Sequence, residues 1–169
     1  MDEHPRVGGA RRLSLFPSDL VAEEAAAVFA EHQRRIRERL PDAEIRHTGG
    51  ASVLGVLTAG DVDLQVRVDR ESFEAASDAL GELYEPHHAE AWHSEDAFFV
   101  ASDSEPRVEI ALAVIGSLDD LHHGEAWQRI AADPGLIERY NALKQAYEGG
   151  SYNEYDAAKR DLFYANSRL

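Results

Sequence analysis

The chain predicts an α+β protein, a mixed β-sheet flanked by helices with a helical C-terminal segment. Three observations carry that expectation. Residues 61–68 alternate strictly, with Val62, Leu64, Val66 and Val68 on one face and Asp61, Asp63, Gln65 and Arg67 on the other. Strand-like and helical segments interleave through the first two thirds. Beyond Gly116 the period is helical to the end.

Residues 17–40 place Val21, Ala25, Val28, Phe29, His32, Ile36 and Leu40 at helical spacing, with Ser18 and Asp19 positioned to cap the start. Pro41 and Asp42 break the pattern. Residues 43–48 then read as a short strand that ends at Gly49 and Gly50. After the alternating strand, residues 71–84 return to helical period through Phe73, Ala76, Leu80 and Leu83, and Pro86 closes them. Residues 97–102 and 107–114 read as two antiparallel strands joined by the polar turn 103–106. Helical segments follow within 119–132, 134–148 and 152–169; Pro134 opens the second, and Gly149 and Gly150 separate it from the third.

At 169 residues, 44% hydrophobic and 29% charged, the chain is expected to form one domain over 16–169 behind a flexible polar leader, 1–15. It holds neither a run of about 18 apolar residues nor an apolar signal segment, so no membrane partner and a cytoplasmic location are expected. With no cysteine, disulfides, thiolate zinc sites and cysteine nucleophiles are excluded, and any metal must be held by carboxylate or imidazole. Seventeen basic against 32 acidic residues, a net charge of −15, argue against extended nucleic acid as a partner. Lys144 and Lys159 are the only lysines. The eight histidines show no metal-ligand spacing, so no dedicated zinc site is expected. His47 reads as a site-wall or hydrogen-bonded core residue. The aromatic residues from Tyr140 to Phe163 read as helix-packing groups.

Asp61 and Asp63 leave one strand face with Cα atoms about 6.5 to 7 Å apart. On the later strand Arg107, Glu109, Ala111 and Ala113 share a face, so Glu109 joins the two aspartates if these strands are neighbours. Three carboxylates beside an apolar sheet repel one another, and Mg²⁺ or Mn²⁺ suits such oxygen donors. Upstream, Gly49, Gly50, Ala51 and Ser52 form a small-residue turn whose N–H groups can approach an anion. Lys144, Lys159, Arg67 and Arg107 are candidates to neutralise a triphosphate. An anion cradle beside a carboxylate clamp is what metal-dependent phosphoryl transfer requires.

The segment HTGGASVLGVLTAGDVDLQV resembles the signature of the nucleotidyltransferase fold shared with DNA polymerase beta: a Gly-Gly or Gly-Ser turn, D-x-D on a strand, and a third acid on a later strand. From about Phe16 to Leu169 the layout is similar to the bacterial GrpB-like family (UPF0157). That family's H-x-G-S-T-S-V-x-G-L segment is matched by His47, Gly49, Ser52, Val53 and Gly55, with Leu57 one place beyond its closing leucine. Its C-terminal steps are matched by Tyr140, Leu143 and Lys144, then Tyr155, Lys159 and Phe163. The chain departs from it at Gly50-Ala51, where hydroxyl residues are usual, and at Ala59-Gly60, where Lys-Pro is usual. Many GrpB-like chains keep one aspartate on the strand, whereas this one has Asp61, Asp63 and Glu109.

The resemblance implies a nucleotidyltransferase that uses a nucleoside triphosphate and a small acceptor. Asp61, Asp63 and Glu109 would be catalytic and metal-holding, Glu109 completing the clamp or serving as general base. Gly49, Gly50, Ser52, Arg67, Arg107, Lys144 and Lys159 would bind nucleotide. The competing expectation is a non-catalytic nucleotide-binding or regulatory module. Acceptor, base preference and oligomeric state are left open.

Overall fold

The computed structural model describes residues 13–164. Five strands form one sheet: β2 (Glu44–Thr48), β4 (Val62–Val68), β5 (Glu85–Pro86), β6 (Asp96–Ala101) and β7 (Val108–Val114), in the order β2-β4-β7-β6-β5. Only β4 and β7 run parallel; the other pairings are antiparallel. Two short strands, β1 (Phe16–Pro17) and β3 (Leu57–Thr58), pair apart from it. The helices are α1 (Ala22–Arg39), α2 (Phe73–Leu83), α3 (Leu118–Ala132), α4 (Pro134–Tyr147) and α5 (Tyr152–Tyr164). No helix among the described residues is long and apolar enough to cross a membrane.

Period-two alternation gives this sheet two unlike faces. Val62, Leu64, Val66 and Val68 join Val108, Ile110, Leu112, Val114, Ala97 and Phe99 in a core closed by Ala25 and Ile36 of α1 and Phe73, Ala76 and Leu80 of α2. His32 is buried there because its Nδ1 lies 2.8 Å from the Tyr84 hydroxyl. The second face carries Asp63, Gln65 and Arg67, and the C-terminal helices lie towards it. Those helices pack their own core from Trp127, Ile130, Tyr140, Tyr155 and Phe163.

Ser18 and Asp19 do not cap α1. The helix starts at Ala22 without a side-chain cap; Ser18 Oγ donates to the Val53 carbonyl at 2.7 Å and Asp19 accepts from the Gly55 N–H at 3.0 Å. Both residues therefore fasten the chain start to the loop beyond the Gly-Gly turn. Leu13 and Leu15, assigned by sequence to the leader, are also engaged. Leu13 is buried among the C-terminal helices, and the Leu15 N–H donates to Glu148. Leader residues 1–12, and residues 165–169 of the last expected helix, lie outside the described residues.

The two layers are joined by an ion pair. Asp120 of α3 is 2% exposed and accepts from Arg67 Nε at 2.6 Å, Arg67 Nη2 at 2.7 Å, Gln65 Nε2 at 3.1 Å and the Gly116 N–H at 2.9 Å. Removing one partner strands a buried charge. Arg67→Met is expected to lower stability in urea denaturation by about 3 kcal/mol. Breaking the exposed Arg34–Glu38 pair is expected to cost no more than about 0.5 kcal/mol.

Candidate active site

The register sets the site. Asp63 stands opposite Thr48 on one side and Glu109 on the other, so its carboxyl and that of Glu109 leave adjacent strands from one row of the same face. Asp61 precedes β4 by one residue. A parallel pairing in exact register is what brings acids 46 positions apart side by side.

Above this row sits the Gly-Gly turn. Gly49 has φ +77°, and a Cβ placed on it would lie 1.8 Å from Asp63 Oδ2. Only glycine permits that approach. The turn is closed by Ser52, whose Oγ donates to the Gly49 carbonyl at 2.6 Å. From behind, the Lys144 ammonium lies 3.1 Å from where a Gly50 Cβ would stand, donates to the Leu57 carbonyl, and sits 4.4 Å from the Tyr140 ring centre. Asn141 fixes the same loop, accepting from the Leu57 N–H at 2.8 Å and donating to the Gly55 carbonyl at 2.7 Å.

The electrostatics follow from this enclosure. Burial, then the neighbouring Glu109 charge, push Asp63 from 3.8 up to about 7, against the pull of Lys159 and Lys144. Burial and Lys159 bring Lys144 down from 10.5 to about 7, against Asp63 and Asp61. Tyr140 and Tyr155, their hydroxyls 2.9 Å apart, are both raised, burial being the first cause, and both feel the Asp63 charge.

Of the predicted nucleotide-binding residues, Gly49 lies against Asp63, Lys144 and Lys159 both act on the Asp63 charge, and Ser52 and Lys144 hold the turn that contains Gly50. Arg107 Nε donates to Glu109 Oε1 at 3.0 Å. Lys159 also lies 5.8 Å from the Trp127 ring centre. Arg67 departs from expectation: it shares the face but lies four residues along β4 and is taken up by Asp120 and Glu44. Lys144 likewise departs from a direct phosphate contact, being 4% exposed and facing the back of the turn. The three acids do not form a ready-made ion cage. Among the described residues no three His, Asp or Glu side chains are grouped to hold a metal ion, and Glu109 leans on Arg107 instead.

Three groups escaped the sequence reading. Tyr140 and Tyr155 read as packing residues, yet their hydroxyl pair lies in the field of Asp63. His87 lies close enough to feel Glu109 and Arg107. Its position depends on the pairing of the edge strand β5, which two residues are too short to announce.

A Gly-Gly turn seated on an aspartate in a mixed sheet, with an acid alongside on a parallel neighbour, belongs to the nucleotidyltransferase class of fold. In agreement, the chain matches the structure of the Cid1 poly(U) polymerase described for its RNA terminal uridylyl transferase activity, with a TM-score of 0.54 and 14% identity over 80% of this chain and 41% of that one. Within that class the GrpB protein model matches residues 21–167, and the chain belongs to the GrpB family. The crystal structure of GrpB from Enterococcus faecalis matches with a TM-score of 0.69 and 16% identity, covering 90% of this chain and 96% of that one. A UPF0157 protein of Vibrio cholerae serotype O1 is 24% identical over 147 residues, 87% of this chain and 78% of its own.

Two outcomes test this geometry. Gly49→Ala is expected to lower stability by at least about 2 kcal/mol, through a forced φ and the clash with Asp63; in contrast Gly81→Ala, in α2 with only ordinary contact 3.9 Å away, is expected to gain about 0.5 to 1 kcal/mol. The second concerns pH. An acid raised from 3.8 to about 7 holds its proton longer folded than unfolded, so stability falls as pH rises through that window. Asp63→Asn is expected to flatten that fall and to raise the melting temperature at pH 8. An unchanged pH profile would show that Asp63 is not held in this state.

Proposed function

We propose that the protein is an Mg²⁺- or Mn²⁺-dependent nucleotidyltransferase that moves a nucleotidyl group from a nucleoside triphosphate to a small acceptor, acting in the cytoplasm. The observation that carries the reading is the register pairing of Asp63 with Glu109 directly beneath Gly49. The residues fit a divalent cation by their chemistry: Asp63 is a half-buried acid made uncomfortable by a neighbouring acid, and hard oxygen donors of this kind suit Mg²⁺. Asp63 and Glu109 would hold it with Asp61, Glu109 turning from Arg107. When bound, the cation supplies charge neutralisation at the phosphates and activation of the acceptor hydroxyl.

The chain's own residues supply the rest. Gly49 and Gly50 let the turn close onto Asp63 and Lys144, and in this reading the backbone N–H groups of the turn that Ser52 closes meet the β- and γ-phosphates. Lys144 holds the turn from behind, and Lys159 and Arg107 add positive charge around the carboxylates. Glu109 receives the acceptor proton as general base. The match to the Cid1 polymerase with MgGTP bound, at TM-score 0.50 and 16% identity, supports the fold on which this reading stands. The competing reading, a nucleotide-binding or regulatory module without turnover, draws on the Arg107–Glu109 pair, which occupies one of the three acids.

Millimolar Mg²⁺ with a nucleoside triphosphate is expected to raise the melting temperature by mass action, and Asp63→Asn to abolish most of that rise. Glu109→Gln is expected to retain nucleotide binding while pyrophosphate release falls by about 100-fold or more. Tight, Mg²⁺-dependent binding without pyrophosphate release from any acceptor would decide for the regulatory module.

A further inference from the structure

The two ends of the sheet row are unlike. At one end the Gly-Gly turn follows β2; at the other, beyond Glu109, lie β6 and the edge strand β5. In an in-line displacement the attacking and leaving oxygens lie on opposite sides of the phosphorus. With the leaving pyrophosphate at the turn, the acceptor must enter from the β6 and β5 side. There the register sets Phe98 opposite Ala111, one step below Glu109 on the same face, and both stay half-buried. The His87 N–H donates to the Phe98 carbonyl at 2.8 Å, and its own carbonyl accepts from Trp92 Nε1 at 2.9 Å. That pairing puts the His87 side chain on the face of Phe98, where it feels the charges of Glu109 and Arg107.

We infer that the acceptor lies across Phe98 and Ala111 with a polar group on the His87 imidazole, and that it is a small neutral or cationic hydroxyl compound. This rests on the transferase reading above. Two strand spacings, about 10 Å, separate β7 from β5, so a molecule about two sugar rings long reaches from Glu109 to His87. Its hydroxyl oxygen bonds to the α-phosphorus as the bond to the β-phosphate oxygen breaks; the proton goes to Glu109 and pyrophosphate leaves with the electron pair. The half-buried Phe98 ring offers an apolar floor. The surrounding charge excludes a polyanion: Glu85 shares the Glu109 row through Val100, and Asp103 and Glu105 stand in the turn between β6 and β7, against Arg107. A nucleic-acid strand needs the opposite sign.

The test measures pyrophosphate release by the full chain with Mg²⁺ and each nucleoside triphosphate. Acceptor probes are neutral and cationic mono- and disaccharides on one side and a short oligouridylate on the other. Release is expected with saccharide-type probes and not with oligouridylate. His87→Gln and Phe98→Ala are each expected to raise the acceptor KM about tenfold or more, the scale of one lost contact, while the Kd for Mg-nucleotide stays within about twofold. Extension of oligouridylate, an unchanged acceptor KM in both variants, or an equal loss of nucleotide affinity would overturn the acceptor assignment and leave the transferase reading standing. Nucleotide binding with no release from any probe removes the transferase reading, and this inference with it.

Discussion

Asp63 is a carboxylate closed in beneath a glycine, and the surrounding elements are arranged about it. Asp63 Oδ2 fills the space where any other residue at position 49 would carry its Cβ. Burial and Glu109 both disfavour its charge. The fold answers with Lys144 and Lys159, brought from α4 and α5 to face the same group. Chain order hides this arrangement: β4 supplies the acid, the loop after β2 the glycine, and the helices the counter-charges.

Holding those parts together requires the sheet and the helical layer to be fixed to one another, and polar contacts make the joint. Asp120 takes Arg67 and Gln65 from β4, while Lys144 and Asn141 grip the Gly55 to Leu57 loop. Such contacts contribute modestly to stability but specify position, because a slip of one residue would leave buried polar groups unpaired. The chain's two lysines are both spent at one place.

Much of the fold was legible because alternation and helical period are local properties. The residues 61–68 pattern became β4, the 97–114 hairpin became β6 and β7, and Pro134 opened α4. The short strands β1, β3 and β5 were not legible, since two residues carry no period. Within the candidate site, the shared face of Asp63 and Glu109 and the position of the Gly turn are legible from spacing, and the scarcity of lysine singles out Lys144 and Lys159. The side a residue approaches from could not be read. Arg67 shares the carboxylate face, yet α3 brings Asp120 to it, and Lys144 meets the turn from behind. Those facts belong to packing between distant segments, as does the placing of His87 beside Glu109 through β5.

Burial and Glu109 keep Asp63 under tension, which the proposed shared cation would relieve. Carboxyl-carbon NMR of labelled aspartate, with Asp63→Asn to assign the signal, measures this directly. Without metal, the Asp63 carboxyl is predicted to titrate near 7; with millimolar Mg²⁺ and a nucleoside triphosphate, its midpoint should fall by about two units or more, as a bound cation favours the ionised form. A carboxyl that titrates near 4 in the free protein and ignores Mg²⁺ would contradict the account.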